Sequence, residues 1–196
     1  PFEARTKYYG LLEFEAPYEP IMDKAMAMFE QCMENGWIVD GVMSQSLSQA
    51  AELWKLREYI SETISVFTPY KNDVSVLISY VPEFIKDIEQ VVNANYPDFE
   101  ICWFGHIGDG NLHLNILKPE NLTKDGFFEK CQSVNDLVFQ TVQKYGGSVS
   151  AEHGVGMTKK PYLNYSRSET EIEYLKELKK VFDPNGVMNR GKIFDI

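Results

Sequence analysis

The chain carries three histidines, and all three sit in two short glycine-rich stretches. His106 and His113 lie in GHIGDGNLHLN, residues 105–115, and His153 lies in SAEHGVG, residues 150–156. Imidazole is the commonest metal ligand and the side chain best suited to moving a proton near neutral pH. Histidines placed for packing would be scattered, so this concentration points to one polar site that both stretches build.

Asp109-Gly110 between two apolar runs is a hairpin signal. With these two residues as the loop, His106 faces His113. Facing side chains on one sheet face stand roughly 4.5–5.5 Å apart at Cβ, close enough to share an ion. Asn115 follows two residues later on the same face and could hydrogen-bond whatever is held there. Glu152 and His153 come after residues 147–150, which read as extended. Neighbours in extended chain point to opposite sides, so one can ligate while the other faces a different part of the pocket. Two imidazoles, one carboxylate and an open position form a catalytic metal set, usually for Zn²⁺, with Mn²⁺ or Fe²⁺ as alternatives. This assigns His106, His113 and Glu152 as ligands and leaves His153 as the acid/base. Cys102 shares a strand face with His106 and competes as a ligand, although a lone cysteine in an apolar strand is more often packing. Asp109 is a further carboxylate, which its place in the turn explains. The glycines precede a strand rather than a helix, so they are not a dinucleotide fingerprint, and no Gly-Lys-Ser/Thr follows to make a phosphate loop.

Composition narrows the class of partner. The net charge is −10 over 196 residues, with Lys and Arg dispersed, which argues against nucleic acid and more weakly against an anionic membrane surface. An apolar content of 44% is that of a globular chain able to bury a core without staples. Cys32, Cys102 and Cys131 are far apart and read as reduced, cytosol-like thiols. No apolar run reaches membrane-spanning length, and residues 74–81 are stopped by Pro82. No signal peptide is visible. The expected location is therefore cytoplasmic, with the mitochondrial matrix as the alternative. The first residues are Pro1-Phe2-Glu3 rather than methionine, which reads as a processed chain or a piece of a longer one.

The elements that must position these residues follow from periodicity. Strands are expected at residues 8–15, 38–43, 74–79, 100–106 and 113–118. In 74–79, Val74, Val76 and Ile78 share a face. Helices are expected at 20–35, capped by Gly36, and at 48–65, with Leu53, Leu56, Ile60 and Ile64 at helical spacing. Further helices are expected from Pro82 to just before Pro97, at 127–145 and at 168–182. The acids Glu169 and Glu171 fall in the first turn of the last one. The order predicts an α+β fold: a largely antiparallel sheet with helices packed on one face, carrying ferredoxin-like elements, plus a helical C-terminal part. One domain is expected, with an internal boundary near 119–125 between parts that would not fold separately.

GHIGDGNLHLN, SAEHGVGMTKKPYL and FDPNGVMNRGKIF together resemble the C-terminal substrate domain of FAD-linked oxidases. These flavoenzymes oxidise D-2-hydroxy acids such as D-lactate, glycolate and D-2-hydroxyglutarate. The three motifs occur in the family's order and the resemblance covers essentially the whole chain. It implies that His106, His113 and Glu152 hold the metal and that His153 is the catalytic base. Arg57 would grip the substrate carboxylate, Ser61 stands where relatives often have threonine, Lys71 is a second anion-binding residue, and Asn115 contacts substrate or the metal's surroundings. Asn189, Gly191 and Lys192 match a terminal Asn-Pro-Gly-Lys near the flavin, with Arg190 in place of the proline. The resemblance implies FAD held mainly by an N-terminal domain that this chain lacks. The implied partners are a small 2-hydroxy acid and an electron acceptor, and a homodimer is the assembly considered. On the residues alone, two rivals stand: a metal-dependent hydrolase using His153 as base, and a non-catalytic metal-binding module.

Overall fold

The computed structural model describes residues 1–18 and 20–195. The chain divides into two compact units, Pro1–Ser61 and Glu62–Ile196. The division falls far from the expected 119–125, because the helix after that segment belongs to the same core as the strands before it.

In the first unit, α1 (Pro20–Glu34) ends at Gly36, whose φ of +69° is the left-handed conformation expected of a helix-terminating glycine. Helix α2 (Leu47–Glu58) starts at Ser46, whose hydroxyl accepts the Gln49 N–H. The single helix expected over 48–65 is broken at Tyr59, and α3 (Ile60–Ser65) follows and spans the division. Residues 8–15 and 38–43 form no strand. An isolated extended run has nothing to accept its ladder, and no described strand lies alongside either segment. No described residue of this unit is buried.

The second unit is the α+β body that the element order predicts. Strands β1 (Tyr70–Ser75), β2 (Ile101–His106) and β3 (Asn111–Ile116) form an antiparallel sheet in the order β1-β3-β2. Alternation splits β3 cleanly. Leu112, Leu114 and Ile116 point to one face, and Asn111, His113 and Asn115 to the other. Helices α4 (Val81–Asn95) and α5 (Lys124–Lys144) cover the apolar face. They do so with residues one helical turn apart: Val81, Phe84, Ile88 and Val92 on α4, and Phe127, Cys131, Val134, Val138, Phe139 and Val142 on α5. The buried Asn135 of α5 is satisfied by the hydroxyls of Tyr70 and Tyr162. Helix α6 (Glu169–Phe182) opens with a reciprocal cap between Ser168 and Glu171.

Strand β1 begins four residues earlier than its apolar pattern suggested. Lys71-Asn72-Asp73 has low strand propensity, but the β3 ladder, running from Tyr70 opposite Ile116 to Ser75 opposite Asn111, overrides it. Ile78 falls instead in a 3-10 turn leading into α4. The core is tight enough that Phe84→Ala should lower unfolding stability by about 3–5 kcal/mol. The midpoint shift in urea measures this.

Candidate metal and active site

The hairpin joining β2 and β3 has a four-residue loop, residues 107–110, rather than the two-residue turn expected from Asp109-Gly110. Gly110 closes it at φ +71°, where a Cβ would meet the Val76 carbonyl oxygen at 1.9 Å, so only glycine fits. The Asp109 carboxylate accepts the Asn111 N–H across the turn. As a result His106 pairs with Asn111, and His113 pairs with Phe104 on one side and Asp73 on the other. This register differs from the expected one by two residues, and a two-residue shift leaves every side chain on its original face. His106 therefore still reaches His113 diagonally, with ring centroids 5.7 Å apart.

The second glycine-rich segment docks on the outer edge of β1. Ser75 and Ser148 exchange backbone hydrogen bonds of 3.1 and 2.8 Å. Gly147 permits the approach, since a Cβ there would stand 2.3 Å from the Ser75 carbonyl oxygen. Beyond the bridge the chain turns over the polar face of the sheet. There Asp73 Oδ2 accepts the backbone N–H groups of Ala151, Glu152 and His153 at 3.1, 2.9 and 2.9 Å.

The two segments meet at His113. Its Nε2 lies 3.2 Å from Glu152 Oε1 and its Nδ1 lies 3.5 Å from Asp73 Oδ1. The His153 ring stacks beside it at 5.5 Å. Asp73, His113, Glu152 and His153 each offer a ligand atom, all within 4.8 Å of one another. His113 and Asp73 are buried, while Glu152 and His153 are exposed. Burial pushes the His113 pKa below its ordinary 6.5 against the pull of the Asp73 and Glu152 carboxylates, which favours the neutral imidazole that can ligate. Imidazole nitrogens and carboxylate oxygens are the donor types that a first-row divalent cation takes. The buried Asp73 Oδ1, without a hydrogen-bond partner, fits a site that is not polar-saturated by the chain itself.

The remaining expected residues fall as follows. His106 stands at the edge of this cluster, with its Nδ1 4.0 Å from Asp109, and is not among the four groups. Asn115 is buried, and its amide donates to the carbonyls of His113 and Cys102, tying β3 to β2. Lys71 is exposed on β1 opposite Asn115, on the same face as Asp73. Cys102 lies on that face too, half-buried, its thiol pKa raised by burial. Asn189, Gly191 and Lys192 form a turn laid against the second segment: the Ile193 N–H donates to Gly156 O at 2.8 Å, and Lys192 Nζ reaches Met157 Sδ at 3.0 Å. Asp183 anchors the approach to that turn. It is held down to about pKa 2 by the Lys179 ammonium and by the Met188 and Val187 N–H groups. Arg57 lies on α2 of the first unit, 2.8 Å from Glu58, and Ser61 lies in α3. Sequence reasoning missed two residues. Asp73 is one. The other is Asn111, buried on the polar face with neither side-chain atom hydrogen-bonded. Neither gave a signal, because both lie just outside the strands expected at 74–79 and 113–118 and join β1 and β3 only through the ladder between them.

The polar face of the sheet and the loop over it thus bring together imidazoles and carboxylates that could hold a cation. The sequence profile of the FAD linked oxidases, C-terminal domain, matches residues 1–193, and the chain belongs to that family. It is 66% identical over 194 residues to a D-2-hydroxyglutarate dehydrogenase of Stutzerimonas stutzeri, covering 99% of this chain and 42% of that protein. It is 49% identical over 195 residues to a D-2-hydroxyglutarate dehydrogenase of Xanthomonas citri, covering 100% of this chain and 41% of that protein. A putative mitochondrial D-lactate dehydrogenase of Schizosaccharomyces pombe is 37% identical over 199 residues, covering 96% of this chain and 37% of that protein. The chain thus spans about two fifths of the length of the first two relatives. No helix among the described residues is long and apolar enough to cross a membrane.

Lys159 marks how firmly the site segment is held. Its ammonium donates to Asn72 Oδ1 at 2.7 Å and lies 4.4 Å from the Phe139 ring centroid. Burial lowers its pKa from 10.5 to about 8, opposed by the charge of Asp73. The unfolded chain then binds more protons than the folded one between these values, so the cost of burying the ammonium is full below about pH 8 and is relieved as pH rises toward 10.5. The stability of the wild type relative to Lys159→Met should climb across that window, read by urea unfolding of both proteins at its two ends.

Proposed function

We propose that this chain is the substrate- and metal-binding part of a flavin-dependent dehydrogenase that oxidises a D-2-hydroxy acid to the 2-oxo acid. The preferred substrate is D-2-hydroxyglutarate. The observation that carries the reading is the meeting of His113, Glu152 and His153 at one point, in a chain 66% and 49% identical to proteins named for that oxidation. Those names favour an oxidoreductase over the hydrolase that the same residues would allow.

His113 and Glu152 are the proposed metal ligands, with His106 reaching in from the β2 end as the third. Zn²⁺ is preferred, with Mn²⁺ or Fe²⁺ as alternatives. When bound, the cation supplies positive charge that makes a substrate hydroxyl more acidic. His153, exposed beside His113, takes the hydroxyl proton. Lys71, two residues along β1 from Asp73 and so about 6–7 Å away, offers charge to a second carboxylate, which favours a five-carbon dicarboxylate over lactate. Asn115 is proposed to hold substrate through what its amide leaves free. For Arg57 and Ser61, as carboxylate-binding residues, and for Asn189, Gly191 and Lys192, near the flavin, the proposal rests on the family pattern. FAD, held mainly by the portion that the longer relatives carry, supplies the hydride acceptor. A separate electron acceptor then reoxidises it.

In the full-length protein, His153→Ala should lower kcat by about 10²–10⁴-fold while bound metal, measured by elemental analysis, stays at the wild-type level. Near-normal turnover would remove His153 from the role of base. Chelation should abolish turnover of D-2-hydroxyglutarate, and re-addition of Zn²⁺, Mn²⁺ or Fe²⁺ should restore it.

A further inference from the structure

We infer that Asp73 is a positioning residue of this site, fixing both the backbone that presents Glu152 and His153 and the tautomer of His113. The inference rests on the metal-binding reading above. Asp73 sits at the middle of β1, directly opposite His113 of β3, with its carboxylate almost wholly buried. Its two oxygens do different work.

Oδ2 accepts three consecutive backbone N–H groups, from Ala151, Glu152 and His153. Hydrogen bonds to an ionised oxygen are shorter and stronger than neutral ones. Three that converge on one atom leave the loop little freedom at the point where Glu152 turns toward His113 Nε2. On the other face of the same strand, Asn72 grips the far end of the segment through Lys159. Adjacent residues of one strand thus hold both ends of residues 151–159.

Oδ1 makes no hydrogen bond of its own and lies 3.5 Å from His113 Nδ1. A buried carboxylate oxygen beside an imidazole nitrogen favours a proton on that nitrogen. With the proton on Nδ1, the lone pair is on Nε2, the nitrogen 3.2 Å from Glu152. That tautomer is the one a metal-ligating histidine needs, and a carboxylate behind the ring is a common way of enforcing it. His153 Nδ1 lies 3.8 Å from Asp73 Oδ2, so the same carboxylate backs the proposed base.

Asp73→Asn separates the two jobs. The amide oxygen can still accept the loop N–H groups, but the amide nitrogen would donate to His113 Nδ1 and move the imidazole proton to Nε2. In the full-length protein, titrated with Zn²⁺ in competition with a chromophoric chelator, this variant should bind about 10–100-fold more weakly than wild type. Long-range ¹H–¹⁵N spectra of metal-free, histidine-labelled protein, with His113 assigned by its loss in His113→Gln, should show the Nδ1–H form in wild type and the Nε2–H form in Asp73→Asn. Equal Zn²⁺ affinity with an unchanged tautomer would overturn the inference. If Asp73→Asn does not fold, an Nε2–H form in wild type alone would overturn it and an Nδ1–H form would support it. A wild type that binds no Zn²⁺, Mn²⁺ or Fe²⁺ would sink the metal reading of the site, while the tautomer would still decide the role of Asp73.

Discussion

Strand β1 is the bridge on which this site depends. The first glycine-rich segment forms β3, on one side of β1. The second runs along its other edge through the Ser75–Ser148 bridge. Neither segment touches the other through backbone pairing. Their imidazoles and carboxylate meet because both are registered against the same six residues, and the carboxylate of Asp73 faces both at once. A shift of β1 by one residue would turn Asp73 to the helix-covered face and leave the Glu152-His153 loop without its anchor.

The same alternation explains why a polar site coexists with a well-packed core. On the central strand, odd-numbered residues (111, 113, 115) are polar and even-numbered ones (112, 114, 116) are aliphatic, yet all six are buried. The aliphatic set packs under α4 and α5, burying area worth roughly 1.5–3 kcal/mol per large side chain. The polar set has no such compensation and must find hydrogen bonds. Asn115 finds them in the neighbouring carbonyls, and His113 stands between two carboxylates. Asn111, and the inner oxygen of Asp73, do not find them. Unpaired buried polar atoms cost about 1–3 kcal/mol each. Three of the four such atoms among the described residues, those of Asn111 and Asp73, lie on the face where the histidines converge; the fourth, Asn72 Nδ2, belongs to the other face of β1.

The sequence revealed the site's parts more fully than its assembly. The two glycine-rich motifs, the hairpin, the shared face of His106 and His113, and the covering helices could all be read from residue types and periods. The register could not, because Asp109-Gly110 suits both a two-residue turn and the end of a four-residue one, and the choice is made by Gly110 packing on Val76. Face parity survived the error because it depends only on whether the shift is even. Asp73 was hidden for a different reason: Lys71-Asn72-Asp73 reads as loop, and only the long-range ladder to β3 makes it a strand. In the first unit, residues 8–15 and 38–43 have strand-like composition but no described partner strand. Composition can nominate a strand, but a second strand is needed to make one.

Burial also divides labour among the histidines. His113 is sealed on the central strand, where loss of hydration favours the neutral ring despite two neighbouring carboxylates. A neutral ring can ligate without first releasing a proton. His153 stacks on it from the exposed loop, and its backbone N–H is held by Asp73. The arrangement fits a rigid inner imidazole that binds and an accessible outer one that exchanges protons. Exchanging their positions would bury the ring proposed as the base and expose the one proposed as the ligand. The inner histidine is thus fixed by the β3 ladder and the outer one by a loop tied to the strand beside it.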